Sequence, residues 1–64
     1  MNLIIEYLRN GAVLARVTFR GTARDATRMA EAGIVEHRAK AARIVDSDGD
    51  GELLALVEKK SNPN

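Results

Sequence analysis

The dipeptide Asn10-Gly11 sits between two stretches of alternating apolar and polar residues, Leu3 to Arg9 and Ala12 to Arg20, and it restricts the fold more tightly than any other feature of the chain. Asn and Gly both tolerate the positive φ that a tight reversal requires, so the two stretches are predicted to be antiparallel strands of one hairpin. Loop length then decides which side chains share a face. A two-residue turn sets Glu6 opposite Ala15 and puts Leu3, Ile5 and Tyr7 on the face of Arg16 and Thr18, which scatters the apolar residues. A three-residue loop, with a type I turn on Arg9-Asn10 and Gly11 as a left-handed bulge, pairs Leu8 with Ala12 instead. One face then reads Leu3, Ile5, Tyr7, Val13, Ala15, Val17 and Phe19, and this is the register expected. It sets Glu6 opposite Leu14 and Ile4 opposite Arg16, and it leaves Ile4, Leu8 and Leu14 half-exposed on the second face. Three such residues on one sheet face point to a partner surface.

Gly21 closes the second strand, and Thr22 followed three residues later by Asp25 has the form of a capping box with a shortened acid. The helix that follows carries a narrow apolar stripe of Ala23, Ala26, Met29 and Ala30, with Arg24 and Arg28 one turn apart on another side. Two endings compete. Gly33 offers a left-handed C′ position, with Ile34 then touching Met29. Alternatively the helix runs through Gly33, at a cost of about 1 kcal/mol relative to Ala, and continues over Ile34 and Val35 to Arg38. The longer helix is expected, because Ile34 to Ala42 contains no Pro and no turn cluster, and a loop of that length would exceed the usual connection.

After Arg43-Ile44-Val45, which is β-like, comes the stretch Asp46-Ser47-Asp48-Gly49-Asp50-Gly51-Glu52, the one place where the composition becomes unusual. As a hairpin loop it lets Ala42–Asp46 pair with Glu52–Val57, since Asp and Gly suit tight reversals. The chain then reads β-β-α-β-β: an α+β fold with a four-stranded antiparallel sheet and one helix packed on one face. In the last strand Leu53, Ala55 and Val57 alternate with Leu54 and Leu56. One helix cannot cover both faces, so Leu54 and Leu56 join Ile4, Leu8 and Leu14 as the expected partner surface.

A second reading of the acidic stretch rests on a resemblance. Asp46, Asp48, Asp50 and Gly51 resemble positions 1, 3, 5 and 6 of the calcium loop of EF-hand proteins, Leu53 stands where that loop keeps an apolar residue, and similar loops occur in dockerin modules. The resemblance covers about eight residues. It implies Asp46, Asp48 and Asp50 as metal ligands and an exiting helix over Leu53 to Lys60. Position 12, which should hold a bidentate acid, is Val57, with Glu58 one residue late. Weak calcium binding is therefore the alternative and the hairpin the expectation.

Composition removes most other chemistries. At 64 residues the chain allows one domain, expected over residues 1–60, with the polar ending Ser61-Asn62-Pro63-Asn64 as a disordered tail. There is no Cys, and His37 is the single His, which excludes a disulfide framework, a thiolate metal site and a self-sufficient zinc site. Neither a Ser or Cys nucleophile motif nor a second His supports catalysis by His37, and no phosphate-cradling Gly-rich loop is present, so the expectation is a non-enzyme without a cofactor. The residues through Val45 hold eight Arg and Lys against four acids; those from Asp46 hold two Lys against five acids. So dipolar a chain suits head-to-tail pairing. Arg16, Arg20, Arg24 and Arg28 suggest a phosphate-binding edge, but a net charge of +1 and only two aromatics argue against nucleic acid, leaving Arg20, Arg24 and Arg28 as a minor alternative. No apolar run approaches 18 residues and Met1 to Leu8 does not have the form of a leader, so a cytoplasmic protein with no membrane partner is expected. The partner anticipated is a second copy, as a homodimer, or another protein.

Overall fold

The computed structural model describes residues 1–59, so the expected tail at Ser61–Asn64 lies outside the described residues. The elements follow one another as β1 (Asn2–Arg9), β2 (Ala12–Arg20), α1 (Ala23–Glu36), β3 (Ala41–Asp46) and β4 (Leu53–Glu58). All neighbouring strands are antiparallel, in the order β2-β1-β3-β4, and the helix packs on β1, β3 and β4. The β-β-α-β-β architecture is the one the residue pattern predicts.

The first hairpin departs from its expected register for a physical reason. Asn10 and Gly11 both take positive φ, 53° and 81°, and Arg9 pairs with Ala12, which makes the two-residue turn whose twist matches that of the strands. That turn alone would set the faces wrongly. The conflict is resolved one step further on, where Leu8 pairs with Val13 and Tyr7 with Ala15, leaving Leu14 as the extra residue of a β-bulge. Beyond the bulge Leu3, Ile5 and Tyr7 stand opposite Phe19, Val17 and Ala15, as the apolar pattern requires. Val13 moves to the face of Leu8, Glu6 meets Arg16 in place of Leu14, and Ile4 meets Thr18 in place of Arg16.

The second hairpin repeats the device. Ile44 pairs with Ala55 but Val45 pairs with Leu53, so Leu54 is the extra residue. Leu54 consequently packs against the core, while Leu53, expected on the core face with Ala55 and Val57, lies across from Val45 on the other face. β4 occupies the residues that a calcium-loop reading assigns to an exiting helix.

Thr22 caps the helix: its Oγ1 accepts a hydrogen bond from the Asp25 backbone N–H at 3.1 Å. The helix runs through Gly33. Its buried stripe is Ala26, Ala30, Gly33 and Ile34, and Met29, placed on the apolar stripe by spacing alone, turns to the flank and stays exposed. Gly33 has a packing reason to be Gly. A Cβ built there would fall within 2.6 Å of Tyr7 Cε1 and closer still to Cζ and the phenol oxygen, so the Tyr7 ring lies directly on the helix backbone. The helix ends on His37, with Arg38 at φ 57°. The Ala39 N–H donates to Ile34 O at 2.9 Å and the Arg38 N–H to Val35 O at 3.2 Å, the paired bonds of a Schellman motif with Arg where Gly is usual.

The core lies between helix and sheet: Leu3, Ile5, Tyr7, Ala42, Ile44 and Val57 below, Ala26, Ala30 and Ile34 above. Because the helix sits toward β3 and β4, Ala15, Val17 and Phe19 on β2 are only partly buried.

Candidate functional site

The other face of the sheet has no covering element among the described residues, and its side chains follow from the pairing. One row across the strands reads Arg16, Glu6, Arg43, Leu56; the next reads Thr18, Ile4, Val45, Leu53; a third holds Val13, Leu8, Ala41, Glu58. Val13, Leu14, Leu53 and Leu56 are between 40% and 55% exposed, and Ile4, Leu8 and Val45 are half-buried. The result is an apolar face crossed by one charged row.

Glu6 organises that row. It is 8% exposed, and each carboxylate oxygen is held: Oε2 accepts from Arg16 Nε at 2.7 Å, and Oε1 accepts from Arg43 Nε at 2.8 Å, with Arg43 Nη2 at 2.7 Å. A carboxylate on a central strand is costly to bury unless its lone pairs are satisfied, and the flanking guanidinium groups satisfy them while staying largely in water. The Arg16 hydrogen bond holds the Glu6 carboxyl below its ordinary range, with Arg43 adding to the effect and burial opposing it. Sequence reasoning did not single out this triad. Its one signal was that Glu6 is the only acid before Asp25 and sits amid apolar neighbours, where it needs a partner.

Of the five residues expected to form a partner surface, Ile4, Leu8 and Leu56 share this face, Leu14 is exposed at the bulge beside it, and Leu54 is drawn to the core. Leu53 and Val45 take the place of Leu54.

The acidic loop is held together internally. The Asp46 carboxylate accepts from the Asp48 backbone N–H at 2.8 Å; Asp48 in turn accepts from the Asn2 backbone N–H at 3.3 Å and side-chain amide at 3.2 Å, and Ser47 bonds to Asn2 O through both N–H and hydroxyl. These bonds close the turn and tie it to the start of β1. No three His, Cys, Asp or Glu side chains among the described residues converge as a metal set, so Asp46, Asp48 and Asp50 are neighbours in sequence without pointing at one centre.

His37 is exposed at the helix end, its ring 4.6 Å from that of Tyr7 and tilted by 34°. Burial raises the Tyr7 phenol above its ordinary range, with the charge of Glu36 adding to it. Arg20, Arg24 and Arg28 are exposed, whereas Arg16 belongs to the Glu6 triad and is not free to join them. No described helix is long and apolar enough to cross a membrane. Comparisons with family models, with curated proteins and with solved structures find no match. The candidate site therefore stands on geometry alone.

Proposed function

We propose that this chain is a non-catalytic binding module that associates with a second copy of itself through the open face of its sheet. The observation that carries this reading is the four side chains Val13, Leu14, Leu53 and Leu56, about half exposed, on or beside a face whose opposite side already uses the one helix among the described residues. A domain of this size has a thin core, and burying a second apolar face is a direct way to add to it.

Charge favours one arrangement. Arg16 and Arg20 lie on the β2 edge of this face and Glu58 on the β4 edge. A two-fold axis parallel to the strands lays the β2 edge of one copy over the β4 edge of the other, setting Arg16 over Leu56 and one row from Glu58, whereas an axis across the strands would stack Arg16 on Arg16. Four strands at about 4.8 Å spacing and about six residues at 3.3 Å each give a face of roughly 400 Å² per copy, which is small for a stable dimer. The association is accordingly weak and concentration-dependent.

Sedimentation from about 1 to 500 µM tests it, a range set by the small interface. The expected result is a monomer–dimer equilibrium that the pair Leu53→Glu and Leu56→Glu abolishes while circular dichroism stays native. A monomer across the whole range would remove the proposal.

A further inference from the structure

We infer that the cleft at the C-terminal end of the helix binds a multiply charged phosphate group carried by a small molecule. The cleft has a volume of about 390 Å³, and all its charged lining residues are cations: Arg9, Arg38, Lys40 and Lys59. They arrive from four separate places, the end of β1, the turn after α1, the approach to β3 and the exit of β4. The fold gathers them, since the backbone bonds Lys40 N–H to Leu8 O and Lys59 N–H to Lys40 O draw these segments side by side at 2.8 and 2.9 Å. None of the four forms an ion pair among the described residues, where the only such pairs are those of Glu6. Lys40 Nζ reaches Asn10 Oδ1 at 3.3 Å, a neutral acceptor.

Cations near a helix C-terminus commonly serve its open carbonyls. Here the two Schellman bonds and the His37 N–H bond to Gly33 O already do that through the backbone. Arg38 is also conformationally expensive, holding the left-handed geometry that Gly would adopt freely. A strained Arg in a cluster of like charges is a cost the fold alone does not explain, and an anion in the cleft removes the repulsion.

The ligand class follows from the lining. Arg and Lys bind phosphate oxygens through charge-assisted hydrogen bonds, and four positive charges suit a diphosphate better than a single carboxylate. Ile34 and the exposed Val35 form an apolar wall on which the uncharged part of a ligand can rest. On the far side of that wall Glu31 and Glu58 line an adjoining cleft of about 200 Å³, so the positive field is bounded. An extended nucleic acid leaving the cleft on that side would meet Glu31. Its stacking surface would also be small, since Tyr7 is buried and Phe19 lies partly buried on β2, which leaves the ring of His37 as the exposed one among the described residues.

The test is a titration of isotope-labelled protein at low salt with inorganic pyrophosphate, followed by amide shifts, with inorganic phosphate and a short oligothymidylate in parallel. Saturable shifts centred on Arg9, Arg38, Lys40 and Lys59, tighter for pyrophosphate than for phosphate, are expected. Arg38→Gly should weaken pyrophosphate binding about tenfold while the melting temperature holds or rises, because Gly suits the left-handed position. Arg24→Gln, on the helix away from the cleft, should leave binding unchanged. Shifts that never saturate, or that spread over Arg20, Arg24 and Arg28, overturn the inference. So does undiminished binding in Arg38→Gly, and tighter binding of oligothymidylate than of pyrophosphate would assign the cleft to nucleic acid.

Discussion

Replacing Gly33 with Ala puts two physical effects in direct opposition. In a helix interior Ala is favoured over Gly by about 1 kcal/mol, so on propensity alone the substitution should stabilise the protein. The packing argues the reverse. The added methyl would sit within 2.6 Å of Tyr7 Cε1 and nearer to the outer ring atoms, and Tyr7 is itself 1% exposed and part of the core. Overpacking of this kind costs about 1–3 kcal/mol or more, and a direct overlap with a rigid ring belongs at the upper end. The net expectation is a loss of about 2 kcal/mol, a large part of the roughly 3–5 kcal/mol that a core of this size supplies. In a domain of this length that lowers the melting temperature by about 8–16 °C. Thermal and urea unfolding of Gly33→Ala, Tyr7→Leu and the double variant form a cycle. With the ring removed, Gly33→Ala should gain the helix-propensity increment, so the coupling between the two sites should approach about 3 kcal/mol. A higher melting temperature for Gly33→Ala in the otherwise unchanged protein, or a coupling near zero, would refute the claim that Tyr7 rests on the helix backbone.

Two further perturbations probe the sheet and the loop. Because the Glu6 carboxyl is held below its ordinary value of 4.5 in the folded protein, the triad adds stability above that pH and loses it as the pH falls through the folded value. Glu6→Gln should therefore cost about 1 kcal/mol at neutral pH, discounted because both guanidinium groups stay in contact with water, and the difference from the unsubstituted protein should shrink as thermal unfolding is followed into acid. A gap that stays constant down to pH 2 would show that the triad does not titrate this way. Calcium raised to millimolar concentration should leave the amide shifts of residues 46–58 unchanged, since the Asp46, Asp48 and Asp50 carboxylates do not converge, and a saturable shift there would restore the ion-binding reading.

Much of the fold was legible because the sequence signals are local and agree with one another. Asn10-Gly11 announces a reversal, Thr22 with Asp25 a helix start, and the Asp-Gly stretch a second reversal, each acting through the backbone freedom or side-chain bonds of a few consecutive residues. The half-exposed face was legible in part, since Ile4, Leu8 and Leu56 follow from alternation. Leu54 and Val13 did not, because Leu54 is the extra residue of one bulge and Val13 adjoins the other, and one inserted residue reverses every assignment on its side of the insertion. Met29 failed for a related reason: the stripe drawn from spacing ignored that the helix rotates to set Gly33 over Tyr7.

The sequence by itself determined the element order, the two hairpins, the helix cap and the absence of any cysteine chemistry, because these depend on residue type and on neighbours a few positions apart. Tertiary structure decided what alternation could not: that a two-residue turn and an apolar pattern of the opposite parity coexist through the bulge at Leu14, that Glu6 finds Arg16 and Arg43 on flanking strands, and that Arg9, Arg38, Lys40 and Lys59 converge on one cleft. The triad and the cleft join residues drawn from separate elements of the chain, and the bulge answers to the core that both strands of the hairpin must face. Their meeting is set by strand pairing and by the seat of the helix, where the gain from burying Leu3, Ile5 and Tyr7 outweighs the loss of a ladder bond at a bulge.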